Sequence, residues 1–150
     1  MGTHYNGPIE QINALNAFIK LQRAADSIFV RAHAALPDKL TETQFAVLEA
    51  LLHLGPLCQG ELAGKLLKSG GNLTLVVDNL EKAGRVRRDR DPGDRRFVTV
   101  SLTDSGRALI SDIFPRIAAS ITREMGALSS TELVDVGRLC KKLGLGATGI

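Results

Sequence analysis

A chain of 150 residues is the length of one ordinary domain, and its 44% of hydrophobic residues is enough to fill a core, which excludes a disordered chain. Aromatic residues are scarce, at 4% with no tryptophan, so the core is aliphatic and leans helical. The net charge is only +3, yet from Lys82 to Arg96 seven basic side chains face three acidic ones, a local +4 that leaves about −1 for the rest. Such a patch on a near-neutral body is the footprint of a nucleic-acid surface, although a solvated charged hairpin has the same composition.

Residues 1–7 read as a loose tail. From Pro8 apolar residues recur at helical spacing, through Ile12, Ile19 and Ile28, up to Pro37. The stripe is wider than one core face needs. Such a helix is either buried on more than one side or shared with a second copy. Thr41-Glu42-Thr43-Gln44 is a capping box, and the helix behind it carries Phe45, Leu48, Leu51 and Leu52. A short helix follows over about 59–67. A tight Lys68-Ser69-Gly70-Gly71 connection leads to a helix over 72–81 with Leu73, Val76, Val77 and Leu80 inward. Two short helices joined this way form a helix-turn-helix.

Residues 86–90 and 97–102 then read as two strands. Between them Asp91-Pro92-Gly93-Asp94 suits a type II turn, with Gly93 at positive φ. A helix pair followed by a basic hairpin is a winged-helix arrangement. Thr103 caps a long helix that keeps its apolar period to Leu128 across Pro115. Ser129-x-x-Glu132 is a second capping box, opening a last helix that ends near Leu143. The fold class expected is mainly α with a small β-hairpin wing: one domain, with a winged helix-turn-helix lobe over 41–106 flanked by helices over 8–36 and 107–143.

The stretches LTETQFAVLEAL, QGELAGKLL, NLTLVVDNLEKAGRVRR and DPGDRRFVTVSLTDSG, from Leu40 to Gly106, resemble the MarR family of bacterial transcriptional regulators. The most specific element is Asp94-x-Arg96 followed by Leu102-Thr103-x-x-Gly106. The resemblance implies a homodimer held by the first and last helices. It also implies two lobes on a pseudo-palindromic double-stranded DNA site, and a repressor released by a small aromatic or phenolic effector or by an oxidant.

On that expectation the helix from Asn72 enters the major groove with Asn72, Thr74, Leu75 and Asn79 outward. Asparagine can pair with adenine, and threonine or leucine can touch a thymine methyl. Ser69, Gly71 and the helix start can hold a phosphate, although Ser69 and Asn72 also read simply as caps. Arg87, Arg88 and Arg90 are candidate phosphate contacts. The motif match makes Arg96 the minor-groove arginine, oriented by Asp94, with Arg95 in the same role or on phosphate. An exposed ion pair that only stabilises the hairpin is the plainer reading of Asp94 and Arg96.

Cys58, ahead of the short helix, is a candidate redox residue. It reads more simply as a small cap-adjacent side chain, and Cys140 as packing. The reactive cysteine that the peroxide-sensing branch of the family carries near its N-terminus has no counterpart here. The two cysteines and three histidines have no disulfide or metal spacing, and no nucleophile–base pair or phosphate-cradling loop stands out. No cofactor, metal or enzymatic activity is therefore expected. With neither a signal-peptide pattern nor a membrane-spanning apolar run, the chain is expected to be soluble and cytoplasmic, without a membrane partner. The rival to a DNA-binding regulator is a winged-helix protein-interaction module.

Overall fold

The computed structural model describes residues 2–37, 39–66, 70–94 and 96–146. In chain order the elements are α1 (Ile9–His33), α2 (Glu42–Leu54), β1 (Leu57–Cys58), α3 (Gln59–Leu66) and α4 (Gly70–Lys82). There follow β2 (Val86–Arg90), β3 (Val98–Leu102), α5 (Asp104–Glu124), a 3-10 turn (Met125–Ala127) and α6 (Ser130–Leu145). Two compact units emerge: Ala35–Ala118, and the chain ends Met1–Ala34 with Ala119–Ile150. The division falls inside α5 rather than at residue 107, because Ile110, Ile113 and Ile117 belong to the core of the first of these units.

That core is aliphatic. Leu48 and Leu51 of α2, Leu62 of α3, Leu73 and Val77 of α4, Val86 of β2 and Val100 of β3 are fully buried with the α5 isoleucines. Local chemistry sets the element ends. Thr41 and Gln44 form the expected capping box on α2, each side chain accepting the other's backbone N–H. The C-terminus of α4 closes as a Schellman motif: Gly84 at φ +69° lets its N–H reach Glu81, and Arg85 N–H reaches Leu80.

The hairpin has a third strand. The sheet order is β1-β3-β2, all antiparallel, with Leu57 opposite Val100 and Cys58 opposite Thr99. A two-residue strand is too short to show an alternation, so the sequence carried no signal for it. The strand predicted from residue 97 begins at Val98. At the base of the hairpin Thr103 donates its hydroxyl to the Gly84 carbonyl at 2.6 Å and its N–H to Arg85 O at 3.1 Å. It also caps α5 by accepting Gly106 N–H at 3.0 Å. Gly106 sits so close that a Cβ there would lie 1.8 Å from the Arg85 carbonyl oxygen, which accounts for the glycine three residues after the cap.

In the unit of the chain ends, α1 stops at His33, short of Pro37, and residues 2–7 fold back: Thr3 N–H donates to Asn16 and the Tyr5 hydroxyl to Gln11. Arg31 pairs with Glu124. Ser129 and Glu132 form the second capping box, and Gly146 at φ +69° ends α6. α5 runs through Pro115 and gives way to the 3-10 turn at Met125, before the predicted end at Leu128. Among the described residues no helix is long and apolar enough to cross a membrane.

Candidate nucleic-acid interface

α4 starts two residues earlier than its sequence suggests. Gly70 and Gly71, read as a turn, form its first helical residues, so Asn72 stands within the first turn and is not a cap. Leu73, Val77 and Leu80 turn into the core, while Asn72, Thr74, Leu75 and Asn79 face outward and exposed, Leu75 at 59%. An exposed leucine among amides and a hydroxyl is the mixture that reads base edges. Gln59, at the start of α3, donates to the Thr74 hydroxyl at 2.5 Å. Sequence reasoning missed this brace, for nothing in spacing ties residue 59 to residue 74. Ser69 lies outside the described residues.

The wing pairs β2 with β3 from Val86 opposite Leu102 to Arg90 opposite Val98. Its tip is not the predicted type II turn. Gly93 is not at positive φ; instead the Asp91 carboxylate accepts the N–H groups of Gly93 at 2.7 Å and Asp94 at 3.3 Å. An aspartate that bonds the backbone two residues on replaces the Pro-Gly geometry. Beyond it, Asp94 accepts Arg96 through the backbone N–H and Nε, both at 3.0 Å, and through a terminal guanidinium nitrogen at 2.9 Å. The Arg96 guanidinium, with its backbone N–H second, holds the Asp94 carboxyl below the usual aspartate range. An ion pair whose arginine is 89% exposed adds little stability, so its main consequence is geometric: the fork fixes where the guanidinium points. Arg95 lies outside the described residues.

Three more arginines line β2, with different surroundings. Arg87 is exposed and pairs with Asp89 at 3.1 Å, and Arg90 is exposed near the tip. Arg88 was grouped with them as a phosphate contact, but its guanidinium turns onto α4 and is held by Asp78 at 2.6 Å and Glu81 at 2.8 Å. The signal was available in the sequence: in a strand Arg88 shares its face with buried Val86, and Asp78 and Glu81 are three apart on the neighbouring helix.

Cys58 is half-buried in β1. Its backbone N–H donates to Glu61 at 2.8 Å, and that contact, with the nearby thiol, holds the Glu61 carboxyl below its usual range. A carboxylate beside the sulfur is the reverse of the electropositive setting of reactive cysteines. Cys140, expected to pack, is exposed on α6. Among the described residues no histidine, cysteine and carboxylate cluster is placed to hold a metal ion.

A compact lobe with a helix-turn-helix, an outward polar helix face and an arginine-tipped hairpin defines a winged helix-turn-helix protein. The model of the MarR family matches residues 40–98. The chain is 36% identical over 135 residues to the HTH-type transcriptional regulator MhqR of Bacillus subtilis, covering 89% of this chain and 93% of that one. It is 35% identical over 109 residues to the HTH-type transcriptional repressor NicR of Pseudomonas putida, covering 73% and 69%. It thus belongs to the MarR family of DNA-binding transcriptional regulators, which are not enzymes.

Two solved structures are also similar. One is Bordetella bronchiseptica BpsR, whose DNA binding is regulated by 6-hydroxynicotinic acid (TM-score 0.78, 29% identity, 85% of this chain and 98% of that one). The other is a mutant of E. coli MarR complexed with operator DNA (TM-score 0.72, 27% identity, 85% and 96%).

Proposed function

We propose that the chain is a sequence-specific repressor that binds a pseudo-palindromic double-stranded DNA site as a homodimer and is released by a small aromatic or phenolic ligand. The observation that carries the DNA reading is the Asp94–Arg96 fork at the exposed tip of the wing. A single guanidinium aimed away from the body suits a narrow minor groove, where the potential is most negative. Asn72, Thr74, Leu75 and Asn79 are assigned to base edges, and Gly71 with the start of α4 to a phosphate, as is Ser69 by its place in the chain. Arg87 and Arg90 are assigned to phosphates, and Arg95 to phosphate or the minor groove. The operator complex of the E. coli relative supports this reading.

The homodimer is supported by the unit of the chain ends. Phe18, Leu21, Leu139 and Leu143 line an apolar groove of about 430 Å³ between α1 and α6, and all four are exposed in the single chain. Repression and ligand release are supported by the repressor relative and by the nicotinate-type regulation of BpsR. Release by an oxidant at Cys58 is the weaker branch, because of Glu61.

The test is fluorescence anisotropy of a duplex from immediately upstream of the chain's own coding region, titrated at several salt concentrations. Tight binding that exceeds a scrambled duplex and weakens steeply with salt supports the reading, and the slope reports the phosphates neutralised. No binding to any duplex at low salt would replace it with a protein-interaction module.

A further inference from the structure

Arg88 is the arginine of the basic segment that its charge alone misplaces. Its side chain is 20% exposed, and its guanidinium reaches three levels of α4: the Thr74 carbonyl at 3.4 Å, Asp78 at 2.6 Å and Glu81 at 2.8 Å. The Arg88 backbone N–H donates to the other Glu81 oxygen at 3.1 Å, so Glu81 grips both the side chain and the main chain of one strand residue. Two carboxylates on one guanidinium leave the cluster net negative. A net negative cluster is a poor phosphate anchor.

We propose that Arg88 is a positioning residue. It fixes the roll of α4 relative to the wing, so that Asn72, Thr74, Leu75 and Asn79 meet bases in register with Arg96, and it sets sequence discrimination without touching DNA. The proposal rests on the DNA-binding reading above. The planar fork of arginine is what the site requires, since an ammonium cannot reach two carboxylates and a carbonyl along one helix face at once. The contact level is informative. Thr74, whose carbonyl is bonded here, is also braced through its hydroxyl by Gln59 from α3, so the helix backbone is held from two sides where its reading face begins.

The experiment first lets the wild-type protein select duplexes from a random library. It then measures binding of the selected duplex and a scrambled one, across a salt series, for wild type, Arg88→Gln, Arg90→Gln and Glu81→Gln. Arg88→Gln is expected to lose about tenfold or more in the ratio of selected to scrambled binding, beyond any loss the two duplexes share, with the salt slope unchanged. Arg90→Gln is expected to weaken both duplexes and flatten the slope by about one.

Glu81→Gln separates the explanations by sign. Removing an acid beside DNA strengthens all binding if charge alone acts, whereas loss of the brace lowers discrimination. Arg88→Gln weakening both duplexes alike with a flattened slope, or changing nothing, overturns the proposal, as does Glu81→Gln with discrimination intact. If Arg88→Gln does not fold, by circular dichroism, Glu81→Gln decides alone. Failure of the wild-type protein to select any duplex refutes the DNA reading itself, and with it this one, before any variant is compared.

Discussion

The two units of the chain treat their apolar residues in opposite ways. In Ala35–Ala118 every helix supplies fully buried side chains, from Leu48 and Leu62 to Leu73 and Ile110. In the chain ends, Ala32 is the buried residue of α1 and α6 has none, while Phe18, Val134 and Leu143 stand more than 60% exposed. One core closes within a single chain; the other leaves its apolar faces uncovered. The apolar width of α1, ambiguous in sequence, is not accounted for by burial inside the single chain, and it supports the proposed homodimer.

The comparison breaks first at the uncovered face. Phe18→Glu with Leu139→Glu is expected to weaken self-association by about a thousandfold, about 4 kcal/mol, in sedimentation equilibrium, leaving the lobe folded. A monomeric wild-type protein at micromolar concentration would end the distinction. Next comes the closed core. Gly106→Ala drives a methyl into the Arg85 carbonyl and is expected to cost about 3 kcal/mol in urea unfolding at fixed protein concentration. Arg96→Ala is smaller, about 1.4 kcal/mol or tenfold in DNA affinity, with an unchanged circular dichroism spectrum. Equal affinity would remove the wing from recognition.

The smallest effect is a pH dependence in α6. The backbone N–H and hydroxyl of Ser129 hold Glu132 below the usual glutamate range. A lowered folded pKa stabilises above the unfolded value and loses that contribution as pH falls through the folded one. The stability difference between wild type and Glu132→Gln, measured by thermal melting, is therefore expected above the glutamate range and to vanish at lower pH.

What was legible in the sequence is what local chemistry decides. Both capping boxes and the helical periods needed only neighbours in the chain. The fork of Asp94 on Arg96 was legible too, through a family motif rather than through spacing. What escaped depends on distant partners or on competition. β1 exists because β3 is there to pair with it. The hairpin tip went wrong because Pro92-Gly93 and Asp91 offer rival turns, and the carboxylate won. The pairing of Arg88 with α4 was not foreseen because counting charges ignores which face of a strand a residue occupies.

The staple at the hairpin's base has a consequence for how such a protein can diversify. Thr103 ties Gly84 and Arg85 to the start of α5, so the hairpin's two ends are anchored independently of its tip. The stretch from Asp91 to Phe97 lies beyond the last strand pair, and none of its described residues belongs to the core. Residues can be exchanged, added or lost there at little cost to folding. On the proposed DNA reading, the lobe separates its stability from its vocabulary: the tip can change its DNA preference while the frame that carries it stays the same.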